Sequence, residues 1–332
     1  MPNLIVVVGV TGIQGSSVAR TFLQLPGWRV RGISRNPSSP SAQALIAKGV
    51  EVVQGDLDGQ ASLLAAFAGA TVIFCNADWV SHFSHALSNP DVLKGRSPNE
   101  YGFDREVEQG INAAEAAASP AVLKTLQRFV YSSLSDARRG SGGKYPNIWH
   151  NNCKIETIRV IRERFPALAE RLSTVQLGHY ATNWKNSPAL TPQRQADGTY
   201  VIKHTFAPDF PMPFLVAHRD TGAFVKALVD LPAGKHLIGV SQLMTWTEWI
   251  HAWGETHGAR AVYKQVSEEE YFDGFPEPLK NELRDTFRYV QEFGYTGGDP
   301  EVKTAEELGI TVPVTSMEEY IRNEDWSSVL SV

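Results

Sequence analysis

The chain has 332 residues, of which 42% are hydrophobic, and this is enough to bury one large core or two smaller ones. Charged residues of both signs are spread along the chain, and the formal net charge is −5, which argues against direct nucleic-acid binding because that function usually needs a basic stripe. The chain has only two cysteines, its amino terminus shows no targeting pattern, and no apolar run reaches the roughly 20 residues that a membrane helix needs. These features predict a cytoplasmic protein without a membrane anchor, and they leave the nucleus open as a second location.

The first part of the chain alternates between short apolar strands and helices. The predicted strands span residues 4–8, 28–34, 50–54, 71–75 and 127–132. The predicted helices span residues 16–25, 42–48, 60–67 and 101–118, and the segment from 76 to about 99 is predicted to be a loop. The β-branched run at 4–8 is typical of a strand buried on both faces of a parallel sheet. The alternation predicts an α/β fold with a doubly wound parallel sheet of the Rossmann class.

The alternation becomes irregular after residue 133. The predicted strands are 172–177, 200–203 and 236–240. The predicted helices are 149–165, 218–231, 245–257, 268–292 and 316–324, with a break in the fourth near Pro276 and Pro278. A threonine followed three residues later by a glutamate opens the third of these helices as a capping box. We interpret this half as a smaller α/β lid over the sheet.

A glycine-rich turn follows the first predicted strand and leads into the first predicted helix. The first glycine of such a turn permits the tight bend, the second lets the backbone approach a pyrophosphate, and the third lets the helix pack close to the strand. The amino terminus of the helix then offers unpaired N–H groups to the phosphates. The pattern predicts a dinucleotide site. Its contacts in the turn are Gly9, Thr11, Gly12, Ile13, Gln14 and Gly15.

The end of the second predicted strand favours NADP(H) over NAD(H). An acidic residue there would bind a free ribose hydroxyl, but the sequence has Arg35 between Ser34 and Asn36. A guanidinium can pair with a 2′-phosphate through two hydrogen bonds, and the two neighbours are further donors. Ligands bind at the carboxyl ends of strands in such sheets. The contacts predicted at the next two strand ends are Asp56, Leu57, Asn76 and Ala77.

No stretch of the sequence resembles a flexible linker. We therefore predict an NAD(P)-binding Rossmann domain over residues 1–150 and a substrate-binding lid region over residues 151–332 that shares the same core.

His82 and His85 lie three positions apart without a third ligand at a suitable spacing, so no metal site is predicted.

Recognisable motifs are spread over nearly the whole chain. They are VVVGVTGIQGSSVAR, ISRNPSS, GVEVVQGDLDG, FVYSSLSDA, His150-x-x-x-Lys154, and the segments 179–184, 218–222, 293–297 and 315–319. Together they resemble the NmrA-like family of atypical short-chain dehydrogenases/reductases. The resemblance implies NADP(H) binding, and it implies Lys154, Tyr180 and Asn183 as further cofactor contacts. It leaves the activity open, because the family includes dinucleotide-sensing regulators, reductases and proteins of fungal secondary metabolism.

A candidate catalytic pair lies at the start of the helix predicted over 149–165. Ordinary short-chain dehydrogenases carry tyrosine and lysine four positions apart on one helix face, and here His150 stands four positions before Lys154. An imidazolium can donate a proton near neutral pH, and the lysine can hold the ribose or transfer a proton. Ser132, at the end of the fifth predicted strand, is a third candidate, and Tyr145 in a glycine-rich loop is an alternative acid. Equally, His150 can be a histidine without a chemical role.

The leading hypothesis is an NADPH-dependent oxidoreductase that acts on a hydrophobic small molecule at a C=O, C=C or C=N bond, with a role in secondary metabolism. The expected pocket is rich in aromatic residues, of which about half are expected to be core. They are Trp79, Phe83, Trp149, Tyr180, Trp184, Phe206, Phe210 and Phe214. The alternatives are a dinucleotide-sensing regulator that binds a protein partner, and an NADPH-binding enzyme of imine or cyclisation chemistry without net redox change.

Overall fold

The structure, a computed structural model, describes residues 2–331. Its strands are β1 (Asn3–Val8), β2 (Trp28–Ser34), β3 (Glu51–Gln54), β4 (Val72–Cys75), β5 (Arg128–Ser133), β6 (Leu172–Leu177), β7 (His179–Tyr180), β8 (Gln193–Arg194), β9 (Tyr200–His204), β10 (Met212–Leu215), β11 (His236–Gly239), β12 (Gln242–Met244), β13 (Ala261–Gln265) and β14 (Val302–Lys303).

Helices separate most of these strands. They are α1 (Ile13–Leu23), α2 (Pro40–Ile46), α3 (Gln60–Phe67), α4 (Trp79–Ser88), α5 (Pro98–Ala117), α6 (Pro120–Leu123), α7 (Ala137–Gly140), α8 (Trp149–Arg164), α9 (Pro166–Ala169), α10 (Ala217–Asp230), α11 (Trp246–His257), α12 (Glu268–Tyr271), α13 (Glu277–Phe293), α14 (Met317–Asn323) and α15 (Ser327–Leu330). Short 3₁₀ turns cover Pro90–Leu93, Asn183–Lys185 and Pro188–Leu190. No helix within residues 2–331 is long and apolar enough to cross a membrane.

The central sheet has eight strands in the order β14-β11-β6-β5-β4-β1-β2-β3. Its neighbouring strands pair in parallel, and β1 lies between β2 and β4, with Val7 paired to Gly32 on one side and to Phe74 on the other. The strand order reverses at β1, which is the switch point where ligands bind in doubly wound sheets. The predicted Rossmann-type fold class is confirmed.

The first strand is buried on both faces, as predicted. Ile5 and Val7 pack in one hydrophobic core, and Leu4, Val6 and Val8 pack in a second core on the opposite face. Alternate residues of a strand point to opposite faces, so a continuous apolar run fits a strand covered by helices on both sides.

Residues from the second half of the chain extend the same sheet and pack on the first helix. The strands β6, β11 and β14 continue the sheet beyond β5. Helix α10 packs on α1, where Ser17 Oγ accepts a hydrogen bond from Gly222 N at 3.0 Å and donates one to Arg219 O at 2.8 Å. A Cβ atom at Gly222 would lie 2.2 Å from Thr21 Oγ1, so this close contact needs glycine. Helix α10, from the second half of the chain, therefore packs against and stabilises α1, the helix that follows the glycine-rich turn.

The remaining strands form two small sheets beside an aromatic core. The strand orders are β12-β10-β7 and β13-β9-β8. Trp246, Trp249 and Trp253 of α11 lie on one helix face and are buried in this core. The predicted capping box of α11 is confirmed, since Thr245 and Glu248 exchange their hydrogen bonds.

The prediction of a loop from residue 76 to about 99 is wrong. Helix α4 occupies much of this segment, and Asp78 caps it by accepting a hydrogen bond from Val80 N at 3.2 Å. Trp79, Phe83 and Ala86 form its buried face at helical spacing. Serines and histidines between these positions hide the apolar period in the sequence. The short strands β7, β8, β10, β12, β13 and β14 were also not predicted. All but β8 pair with a strand distant in sequence, and β8 has only two residues, Gln193 and Arg194, which pair with the neighbouring β9.

Candidate functional site

The glycine-rich turn has the geometry that a dinucleotide loop requires. Gly9 has φ +69°, a left-handed conformation that favours glycine, and its carbonyl accepts a hydrogen bond from Gly12 N at 2.9 Å. A Cβ at Gly15 would lie 2.2 Å from Gly9 O, so no side chain fits there. Gly12 is the N-cap residue of α1, and no side chain caps this helix. The first N–H groups of α1 therefore remain available to a ligand.

Arg35 lies directly after β2, at the same edge of the sheet as the glycine-rich turn. The residue is exposed, and its guanidinium has no ion pair within residues 2–331. Its two neighbours organise the turn, because Ser34 Oγ accepts a hydrogen bond from Asn36 N at 3.2 Å and Asn36 Oδ1 accepts one from Ser38 N at 3.0 Å. Arg35 is thus the free cation at the predicted 2′-phosphate position, while the neighbouring side chains shape the loop.

The predicted contacts at the other strand ends lie along the same edge. Asp56, after β3, accepts a hydrogen bond from Asp58 N at 3.0 Å, and Leu57 beside it is half-buried. Asn76, directly after β4, is half-buried. Ala77 is buried, and its carbonyl faces the side chain of Lys154.

Lys154 is buried and paired with a carboxylate that the sequence analysis missed. Its Nζ donates to Glu106 Oε1 at 2.8 Å and to Ala77 O at 3.1 Å. Burial acts to lower the pKa of Lys154, whereas the charge of Glu106 raises it, and the net pKa lies above its usual value. Glu106 has no exposed surface, and its Oε2 atom has no hydrogen-bond partner within residues 2–331. An ammonium has three donors, so one remains for a ligand.

His150 lies one helical turn before Lys154 and is also held by a carboxylate. Its Nδ1 contacts Glu282 Oε1, and its backbone N–H donates to the same oxygen at 3.1 Å. Glu282 belongs to α13 and is 1% exposed, whereas the imidazole keeps 27% of its surface. The imidazole is therefore held by a carboxylate and remains partly accessible.

Tyr180 reaches the glycine-rich turn from β7. Gln14 Nε2 donates to its hydroxyl at 2.7 Å, and burial raises the pKa of this phenol to about 12. Gln14 Oε1 is buried and has no hydrogen-bond partner within residues 2–331. Asn183 starts a 3₁₀ turn three residues later and is half-buried. Thr11 and Ile13 are exposed at the mouth of the turn.

The remaining acid and aromatic candidates are mostly buried. Ser132 is 2% exposed within β5. Tyr145 does not lie on a free loop, since it is buried and its hydroxyl donates to Glu292 Oε2 at 2.7 Å. Trp149, Tyr180 and Phe210 keep partial exposure. The other five predicted pocket aromatics are core residues, namely Trp79, Phe83, Trp184, Phe206 and Phe214.

Glu106 and Glu282 are the functional candidates absent from the sequence analysis. Glu106 did leave a signal: on α5 it is a charged residue in a stripe of buried positions that includes Gly102, Gly110 and Ala113. Glu282 left a weaker signal: α13 is amphipathic, and Glu282 lies two turns before the buried Tyr289 on the same face, but the helix carries many other charges. Within residues 2–331 no group of three or more metal-ligating side chains is present.

Comparison with known proteins gives the family. The NmrA-like family model matches residues 1–321. The NmrA-like family domain-containing oxidoreductase FrzB of Cladobotryum sp is 29% identical over 95% of this chain and 92% of its own length. Among solved structures, NmrA, a negative transcriptional regulator in complex with NADP, has a TM-score of 0.66 at 20% identity, covering 97% of this chain and 95% of that chain. The Citrobacter sp. triphenylmethane reductase complexed with NADP(H) has a TM-score of 0.64 at 19% identity, covering 96% and 98%. The chain belongs to the NmrA-like family.

Proposed function

We propose that this chain is an NADPH-dependent oxidoreductase that reduces a hydrophobic small molecule at a C=O, C=C or C=N bond. The observation that carries the proposal is the uncapped start of α1 at the switch point of the sheet, with the free Arg35 guanidinium at the end of the neighbouring strand. The full-length similarity to a curated oxidoreductase supports an enzyme of this class.

The residues present fit a nicotinamide dinucleotide. The close approach of α1 to the turn leaves no room for a side chain at Gly15, and this is the close packing of helix against strand that a dinucleotide-binding turn requires. The unpartnered Oε1 of Gln14 is an acceptor at the same turn, and a buried acceptor without a partner is costly unless a ligand satisfies it. The positive end of the α1 dipole and Arg35 supply attraction for phosphate groups at two separate points.

The chemistry divides between the cofactor and two side chains. NADPH, when bound, would supply the hydride for the reduction, and the protein would supply a proton for the other end of the reduced bond. Lys154 would bind the nicotinamide ribose through its third N–H, because Glu106 and Ala77 accept hydrogen bonds from only two of the three ammonium donors. We assign the proton to the accessible side of the His150 imidazole, with Ser132 as a residue near the reacting bond.

The substrate class follows from the partly exposed aromatic residues beside these groups. Trp149 precedes His150 and packs edge-on against Phe103 with 5.7 Å between ring centroids. Tyr180 lies across the glycine-rich turn. Rings of this kind favour a flat, apolar compound. The fungal sources of curated relatives support a place in secondary metabolism.

The first experiment is calorimetric titration of the purified protein with NADPH, NADP, NADH and NAD. Tight binding of NADPH, with loss in Arg35→Ala, is the expected result. Absorbance of the nicotinamide then reports NADPH oxidation with candidate aldehydes, enones and imines, and Lys154→Ala should abolish it. Absence of dinucleotide binding would overturn the proposal.

The rival function is a dinucleotide-sensing regulator, and the observation that favours it is a histidine at the position of the usual tyrosine. It predicts preferential binding of the oxidised dinucleotides and no turnover. Retention of a redox-dependent protein contact in Lys154→Ala would support it, because sensing needs the phosphate contacts of the turn but no proton transfer.

A further inference from the structure

Glu282 is the meeting point of three elements that are far apart in sequence. The carboxylate lies on α13 and is almost completely buried. Its Oε2 accepts hydrogen bonds from Trp149 N at 3.1 Å and from Asn99 Nδ2 at 3.3 Å, and its Oε1 accepts one from His150 N at 3.1 Å and contacts His150 Nδ1. A buried carboxylate is tolerated when it is surrounded by donors in this way.

The carboxylate replaces a missing helix cap. Ile148, the N-cap residue of α8, has an apolar side chain and caps nothing. Glu282 therefore satisfies N–H groups of the first turn of α8, and its negative charge lies at the positive end of that helix. These contacts alone would explain a structural role.

The contact with the imidazole goes beyond capping. A carboxylate only accepts hydrogen bonds, so the Nδ1 atom of His150 is the donor, and the neutral ring carries its lone pair on Nε2. The same arrangement of carboxylate and imidazole fixes the tautomer and ring orientation of histidines in triads and metal sites.

The fixed ring belongs to the ligand edge of the sheet. His150 and Lys154 share one face of α8, and Lys154 Nζ reaches the carbonyl of Ala77, two residues after β4. The ring of His150 lies 6.1 Å from that of Trp79, two residues further along. The partly exposed imidazole thus lies near the strand ends where ligands bind in this fold.

We propose that Glu282 is a positioning residue that holds the His150 ring with Nε2 as its proton-transferring atom. The imidazolium gives its Nε2 proton to the substrate and returns to the neutral form that keeps its proton on Nδ1, and solvent then protonates Nε2 again. The inference rests on the proposed function. Glu282 belongs to the carboxy-terminal region, so the catalytic histidine is completed only when α13 docks against the start of α8.

The test compares Glu282→Gln with a matched variant on the same helix. Asp285, one turn further along α13, accepts hydrogen bonds from Asn147 N at 3.0 Å and Asn147 Nδ2 at 2.9 Å, so it supports the segment before α8 without contacting the imidazole. We expect Glu282→Gln to lower kcat about a hundredfold with KM for NADPH within about twofold, because general acid catalysis contributes roughly 10²–10⁴. Asp285→Asn should stay within about twofold in kcat, and Glu282→Asp should restore part of the loss.

Nitrogen NMR of histidine-labelled protein reads the tautomer directly, with His150→Gln identifying the signal. The wild type should show a proton on Nδ1, and Glu282→Gln should move it to Nε2, because the amide can donate to Nδ1. Equal losses of kcat in Glu282→Gln and Asp285→Asn, or an unchanged tautomer in Glu282→Gln, would overturn the inference. Failure of the proposed function appears differently, as absence of turnover in the wild type.

Discussion

Lys154 Nζ lies 2.8 Å from Glu106 Oε1, and the glutamate side chain has no exposed surface. The pair joins α8 to α5 beneath the carboxyl end of β4. Ion pairs at such depth lose their hydration, and they persist where their geometry serves another purpose. Here the pair holds the ammonium in place near the predicted cofactor edge, so we expect its loss to affect both stability and the proposed activity.

Removal of one partner should be far more costly than removal of both. Glu106→Gln leaves a buried ammonium without a counter-charge, and we expect a loss of about 3–5 kcal/mol in the free energy of unfolding. The double variant Glu106→Leu with Lys154→Met should lose much less, because no unpaired charge remains. Urea-induced unfolding of the single and double variants measures the difference. Additive losses in the double variant would contradict the interpretation.

Arg35 should set the preference between NADPH and NADH. Its guanidinium has no ion pair within residues 2–331 and is therefore available to a 2′-phosphate. We expect Arg35→Ala to weaken NADPH binding by about tenfold or more, because a hydrogen bond to a charged group contributes about 1.5–3 kcal/mol. NADH lacks the 2′-phosphate, so its binding should not change. Arg29→Ala is the matched control, because Arg29 is an exposed arginine at the opposite end of the same strand and pairs with Glu51. Calorimetry measures both. Equal weakening of NADPH and NADH would place Arg35 away from the phosphate.

Gly15 should be the least replaceable glycine of the turn. An alanine there places Cβ 2.2 Å from Gly9 O, whereas an alanine at Gly12 places it at 3.3 Å from the same atom. Helix α1 must therefore move away from the turn in Gly15→Ala, with a loss of roughly 1–3 kcal/mol as in other overpacked sites. We expect Gly12→Ala to fold with nearly native stability. Thermal unfolding and NADPH titration of the two variants check this order, and a reversed order in stability would be inconsistent with the turn described above.

His179 should make the protein less stable in mild acid. Burial against Phe214 and Trp246 lowers the pKa of His179 from 6.5 to about 4. Between these values the unfolded chain binds a proton that the folded chain does not, so the free energy of unfolding falls as pH falls, and His179 contributes about 3 kcal/mol of this loss. Burial also lowers the pKa of four other histidines, which add to the fall.

The His179→Phe variant isolates this contribution. We expect its unfolding free energy to fall less steeply than that of the wild type from pH 6.5 to pH 4, with similar values at neutral pH. His251→Phe, at an exposed position of α11, is the matched control. Urea unfolding at a series of pH values provides the measurement. Parallel curves for His179→Phe and the wild type would show that this histidine is not the source.

The elements that were predicted correctly carry local signals. The strand at residues 4–8 and the glycine-rich turn are recognisable because apolar runs and glycines act on their immediate neighbours. The position of Arg35 directly after a strand was predicted for the same reason, and its contact with a phosphate stays a prediction. Helix α4 was missed although its cap and apolar face are local, because polar residues between Trp79, Phe83 and Ala86 masked the period.

The sequence by itself determined the Rossmann class of the parallel sheet, the glycine-rich turn before the first helix and the arginine that follows the second strand. Only the tertiary structure decided what surrounds the two candidate catalytic side chains. Glu106 stands 48 positions from Lys154, and Glu282 stands 132 positions from His150. Such pairs follow from how whole helices pack against one another, and helix packing depends on the summed contacts of many side chains and not on any short pattern along the chain.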